Sequence, residues 1–287
     1  AAFDTAGPMT RTIRDAAIVL QAIVGRDPRD PATQTIPAEL SVEFAAALKP
    51  GALRGARIGV IRGMSVFRPW LEPVLAAAVA RLREAGAEVE EIAELPGGGS
   101  FGNASYQVML YEFKDGVNAW LAALGPDSKL KTLADVIAFN TAHRDRELTI
   151  FGQETLVQAQ AKGPLTESAY LNARSTCERL TRKEGIDALM DKHRLDALVP
   201  LTTGPAALGD PVYGGASGST GGSSGLAAIA GYPSVTLPGA EVRGLPMGIS
   251  FFGRAWSEAK LLALAADYEA RTRVRREPAL PATIRGR

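Results

Sequence analysis

The sequence predicts an α/β fold, a mixed β-sheet covered by helices on both faces. Three observations lead there. A strand, helix, strand succession lies between Arg57 and Ile92. From Leu195 onward, single strand-length apolar runs alternate with helical patterning. A chain of 287 residues, 46% hydrophobic and 22% charged, also has enough apolar side chains to fill a sizeable core.

The first element is an amphipathic helix. Thr12-Ile-Arg-Asp15 reads as a capping box, and Ile13, Ala16, Ala17, Leu20, Ile23 and Val24 line one face before Gly25 stops it. Asp27-Pro-Arg-Asp-Pro31 is a turn, and a polar connector leads to Arg57-Ile-Gly-Val-Ile61, a β-branched run of strand length. A helix over 73–85, ended by Gly86, joins it to a second strand at 89–92. That succession is a parallel crossover unit.

After Pro96-Gly-Gly-Gly-Ser100, the residues Tyr106, Met109, Leu110, Phe113, Val117, Trp120, Leu121 and Leu124 recur at helical spacing. This stripe reads as core or interface, since it lacks the polar anchors a cofactor needs. Helices follow at 130–151 and 166–192, with Gly163-Pro164 between them. Ala197-Leu-Val-Pro-Leu201 is a buried strand that runs into a polar, glycine-rich segment. A small-residue helix at 225–230, a strand at 234–237, a loop, a strand at 247–252 and a last helix opened by Ser257-Glu258 complete the chain.

Composition excludes several functions. The 32 Lys plus Arg balance 31 Asp plus Glu without long blocks of one sign, so nucleic acid is not an expected partner. The basic cluster Arg271, Arg273, Arg275 and Arg276 sits at a helix end, where cations favour the macrodipole. A single cysteine, Cys177, allows no internal disulfide and fits a reducing, cytoplasmic setting; its helical surroundings read as packing. Two histidines and one cysteine supply no metal cluster, and no apolar run is long enough to span a bilayer. Ala1 to Thr10 has neither the basic nor the apolar region of a signal peptide, and reads as the middle of a longer pattern.

The segment Gly214-Gly-Ala-Ser-Gly-Ser-Thr-Gly-Gly-Ser-Ser-Gly225 could cradle an anion, because glycines let backbone N–H groups converge while hydroxyls add hydrogen bonds. It is neither a phosphate-binding loop with its lysine nor a Gly-x-Ser-x-Gly elbow, and composition alone reads it as a surface loop.

Its neighbours give it meaning. Leu198-Val-Pro-Leu-Thr-Thr203, Ala227-Ala-Ile-Ala-Gly-Tyr-Pro-Ser-Val-Thr-Leu-Pro238, Gly244-Leu-Pro-Met-Gly-Ile-Ser-Phe-Phe-Gly253 and Phe3-Asp-Thr-Ala-Gly-Pro-Met-Thr-Arg-Thr12 stand in one order. Together they resemble the C-terminal portion of the amidase-signature family, of the peptide amidase-like or glutamyl-tRNA amidotransferase-like kind. The resemblance makes residues 1–287 a partial amidase-signature domain. It implies hydrolysis of a carboxamide by a serine nucleophile, a second serine and a lysine base, with no cofactor. Those residues precede the family's Phe-Asp-Thr-x-Gly-Pro-Met motif, which here begins at Phe3, so no catalytic residue and no metal ligand carries over to this chain. Gly221-Gly-Ser-Ser-Gly225 imitates the family's serine signature, but Leu226-Ala-Ala-Ile-Ala-Gly-Tyr-Pro follows it and belongs to the later region.

What the resemblance does assign is a substrate-contacting wall: Thr202, Thr203, Ser219, Thr220, Ser223 and Ser224, with Asp4 and Gly7 as lesser candidates. Asp4 reads equally well as a turn residue. The implied partners are a small-molecule or peptide amide substrate and either a second copy or the absent N-terminal segment. Alone the chain is expected to be inactive. The alternative is a non-catalytic binding or scaffold half that associates with a signature-bearing partner.

Overall fold

In the computed structural model, which describes residues 2–65, 69–93, 95, 101–206 and 224–278, an irregular segment leads into helix α1 (Ile13–Ile23). Thr12 caps it by accepting the N–H of Asp15, one of the donors a helix start leaves without an internal partner. Strand β1 (Arg57–Ile61) runs into the single turn α2 (Arg62–Ser65), then α3 (Glu72–Glu84) and β2 (Glu88–Ile92). Gly86 ends that helix at φ +92°, a left-handed conformation that costs glycine nothing. A helical excursion follows: α4 (Gly102–Ala123), α5 (Leu133–Ala142), α6 (Arg144–Glu147), α7 (Glu154–Gln160) and α8 (Ser168–Glu178). The last of these continues through a π-helical stretch, Arg179–Ile186, into α9 (Asp187–His193). Then come β3 (Ala197–Leu198), α10 (Ser224–Ala230), β4 (Ser234–Val242), β5 (Leu245–Phe252) and α11 (Glu258–Thr272).

Among the described residues the strands form one sheet in the order β2-β1-β3-β5-β4. β1 pairs in parallel with β2 and β3, whereas β5 runs antiparallel to β3 and β4, so the sheet is mixed as expected. Side chains alternate across it. Ile58, Val60, Val199, Ile249 and Phe251 point to one face and pack with α1, α3 and α11; Ile61, Leu198 and Phe252 point to the other and pack with α9 and α10. Gly59 lies on that second face, where a Cβ would sit 2.5 Å from Leu195 Cδ1. The helical excursion has its own small cores, Val108, Tyr111, Tyr170 and Cys177 in one, Leu110, Leu133 and Ala159 in the other. No helix among the described residues is long and apolar enough to cross a membrane.

Four elements differ from expectation. The helix expected over 130–151 is two pieces, divided at His143 (φ −115°, ψ 32°), and the unexpected α7 follows Gln153, which donates to Ile137 O at 3.3 Å and Thr141 Oγ1 at 3.0 Å. The helix expected over 166–192 carries a π-helical stretch. Strand β4 extends to Val242, and the loop expected after it is a two-residue turn at Arg243 (φ 52°) and Gly244 (φ 81°), the positive-φ pair that matches strand twist in a hairpin. Finally, the aromatic stripe of α4 is divided: Leu110 and Leu121 are buried, while Tyr106, Met109, Phe113, Trp120 and Leu124 face solvent.

Candidate functional site

The strand-terminal threonine singled out from the sequence lies across β5. Thr202 N–H donates to Gly248 O at 2.8 Å, and Ser250 N–H donates to Pro200 O at 3.1 Å, so residues 200–202 prolong the pairing of β3. Gly248 makes this approach feasible, since a Cβ there would stand 2.6 Å from Thr202 Oγ1. Thr202 Oγ1 is 2.8 Å from Ser250 Oγ, which is 2.9 Å from Thr236 Oγ1. Three hydroxyls thus form a row over β3, β5 and β4, with Ser250 1% exposed at its centre and Thr236 open at its outer end.

Each hydroxyl offers one proton, and two are used within the row, so one donor remains for a bound group. Among the described residues, no carboxylate, imidazole or amine is hydrogen-bonded to any of the three. The row can orient a ligand; among the described residues it has no base with which to make a nucleophile.

Of the other residues named from sequence, Thr203 is exposed beside Thr202, and Ser224 is the first residue of α10. Ser219, Thr220 and Ser223 lie outside the described residues. Asp4 lines a different cavity, about 430 Å3, with Phe3, Tyr106, Met109, Glu112 and Phe113. Gly7 lines the larger cavity, about 710 Å3, along Pro233–Pro238. Ser250 and Thr236 were not singled out from sequence. Their signal is a small hydroxyl at an alternate position in strands otherwise apolar, Ser234-Val-Thr-Leu and Gly248-Ile-Ser-Phe.

A charged cluster lies around α10. Arg182 Nε donates to Ala230 O at 2.7 Å and its guanidinium lies 5.9 Å from the Tyr232 ring centroid. Tyr232 donates its hydroxyl to Asp187 at 2.8 Å, and Asp187 also meets Arg254 at 3.4 Å. Burial, and then the neighbouring Asp187 carboxylate, push the Tyr232 phenol up to about 12. Burial likewise raises the Cys177 thiol; this fully buried side chain is packing, not a nucleophile.

Two carboxylates face the larger cavity. Glu269 accepts the N–H of Ile13 at 3.1 Å and so stabilises the start of α1. Glu258 keeps its Oε2 buried without a hydrogen-bond partner, and burial raises its pKa above the ordinary value.

Comparison with known proteins gives the family. The family described as Amidase matches residues 1–262. A probable amidase of Arabidopsis thaliana is 33% identical over 96% of the chain and 50% of its own length. A glutamyl-tRNA(Gln) amidotransferase chain of Roseobacter denitrificans is 28% identical, over 93% and 54%. The crystal structure of a peptide amidase from Stenotrophomonas maltophilia superimposes with a TM-score of 0.86 and 46% identity, over 96% of this chain and 55% of that one. The chain therefore spans about half the length of the curated relatives it matches.

Proposed function

The chain belongs to the amidase family, and from that premise we propose that it forms the C-terminal portion of an enzyme that hydrolyses the C–N bond of a small-molecule or peptide amide. The observation that carries this reading is the 46% identity to a peptide amidase, sustained over 96% of the chain. In the reaction, a base takes the proton of a serine hydroxyl as its oxygen attacks the amide carbonyl; the C–N bond then breaks, and the nitrogen leaves as ammonia or an amine after taking that proton from the protonated base. Water then cleaves the ester and restores the serine. That serine and its lysine base come from outside residues 1–287. This chain supplies pocket wall: the Thr202, Ser250 and Thr236 row offers its free donor to the bound amide, and Ser219, Thr220, Ser223 and Ser224 are further candidates for substrate contact.

The test is to mix the chain with the part of the Stenotrophomonas peptide amidase that it does not span, and to assay ammonia release from a peptide amide. Neither part alone is expected to turn over, whereas the mixture is. Turnover by the 287-residue chain alone would overturn the placement of the chemistry. The want of a base beside the three hydroxyls also favours a second reading, a non-catalytic binding half; association without hydrolysis would select it.

A further inference from the structure

Strand order and helix placement single out one end of the sheet. β1 lies between β2 and β3 and runs parallel to both. The connection from β1 to β2 carries α3, which packs on one face, whereas the connection on to β3 ends in α9, which packs on the other. The winding therefore reverses between β1 and β3. A doubly wound sheet opens a ligand crevice at such a point, outside the carboxyl ends of its parallel strands. Thr202 stands there, half-buried, on the segment that prolongs β3 past its carboxyl end.

The hydroxyl beside Thr202 has little freedom of its own. Ser250 alternates with Ile249 and Phe251 along β5, so it turns to the face of α9 and α10, where it is 1% exposed. Among the described residues its Oγ has Thr202 Oγ1 at 2.8 Å and Thr236 Oγ1 at 2.9 Å as hydrogen-bond partners. A hydroxyl holds a single proton, so Ser250 donates to one neighbour and accepts from the other, and the row has two polarities. In the first, Thr236 donates to Ser250, Ser250 donates to Thr202, and the Thr202 proton is free. In the second, the free proton is on Thr236. That end is exposed, where water can serve either polarity, so the choice falls to the half-buried Thr202.

We propose that the crevice at Thr202 takes a carbonyl oxygen of the bound amide, and that Ser250 is the positioning residue that points the Thr202 proton at it. The proposal deepens the function proposed above and rests on it. A carbonyl accepts and cannot donate, so its arrival selects the first polarity, in which each hydroxyl of the row gives its proton toward the crevice. Every bond in such a run polarises the next, which makes Thr202 a stronger donor than an isolated threonine. Ser250 touches no ligand. It acts through Thr202, and Thr236 acts through Ser250.

The experiment measures kcat and KM for a peptide amide, using the 287-residue chain mixed with the part of the Stenotrophomonas peptide amidase that it does not span. Losses in kcat/KM should be graded by distance from the carbonyl: about tenfold for Thr202→Val, about fivefold for Ser250→Ala and about twofold for Thr236→Val. Thr202→Ser keeps the hydroxyl and should restore most of what Thr202→Val loses. The double variant Thr202→Val with Ser250→Ala should lose no more than Thr202→Val alone, because Ser250 works only through the Thr202 proton. Losses that multiply in the double variant would make Ser250 merely structural and overturn the proposal. So would a reversed grading, with Thr236→Val the most damaging, since it puts the free proton at the other end. If Ser250→Ala does not fold, Ser250→Cys substitutes a weak thiol donor and should cost about threefold; full activity in that variant overturns the proposal. Turnover that Ser250→Ala leaves untouched overturns the role of Ser250 and spares the enzymatic reading, whereas no turnover by the unaltered mixture overturns both.

Discussion

Asp267 on α11 accepts the N–H of Leu53, 214 positions away in the chain, at 3.1 Å, and that of Gly51 at 3.0 Å. One carboxylate thus ties the last helix to the turn before β1. Asp267→Ala leaves two backbone donors without partners, each costing about 1–3 kcal/mol, so a loss of about 2–6 kcal/mol is expected in a urea melt. A change below about 0.5 kcal/mol would show that water replaces the carboxylate.

The same residue sets an acid limit. Burial alone would raise its pKa, but the N–H groups of Gly51 and Leu53 and the Arg271 guanidinium outweigh it and hold the carboxyl below 3.8. A depressed carboxyl contributes stability that is complete above the unfolded pKa and is lost as pH falls through the folded one. Stability should therefore fall as pH drops below about 4, less steeply in Asp267→Ala. Parallel curves for the two proteins would contradict this.

Gly185 sits in the π-helical stretch, where a Cβ would stand 2.5 Å from the carbonyl oxygen of Leu180. Alanine in a regular helix gains about 1 kcal/mol over glycine. Here the obstacle is backbone and cannot rotate away, so Gly185→Ala is expected to destabilise by about 1–3 kcal/mol. A rise in Tm would mean the stretch relaxes to an ordinary helix without cost.

Tyr232 should titrate last among partly exposed tyrosines, near the value of about 12 that burial and Asp187 impose. A raised phenol pKa contributes stability that is present below about 10 and lost as pH rises toward 12. Tyr232→Phe should remove the highest step from an ultraviolet titration and cost about 1 kcal/mol at neutral pH. Persistence of that step would assign it to another tyrosine.

Thr202→Val keeps the shape beside Gly248 and deletes one end of the hydroxyl row, while Ser250 retains Thr236. The expected cost in stability is about 1 kcal/mol. In the reconstituted amidase it should lower kcat/KM about tenfold, as one lost hydrogen bond to the bound amide requires. An unchanged kcat/KM would remove Thr202 from the pocket wall.

The crossover from β1 to β2, the capped α1 and the last helix could be read from periodicity and caps, because each is a local property of neighbouring residues. The break after Ala142 could not, since no glycine or proline marks it in Ala142-His143-Arg144. Likewise Thr202 was reachable through family resemblance, but its partners Ser250 and Thr236 are joined to it only by strand register. Asp4, grouped with Thr202 by resemblance, lines a different cavity from Thr236.

β3 has only two residues, yet it joins a locally wound crossover to a hairpin that turns in two residues. Its attachment to β1 brings Asp196 to Arg57 across 139 positions, with the whole helical excursion inside the intervening loop. Closing so long a loop is entropically slow, whereas the units on either side gather quickly. On the ribosome, the first unit must therefore wait for the whole excursion to be synthesised before its open flank is covered, and refolding is expected to be paced by the shortest strand among the described residues.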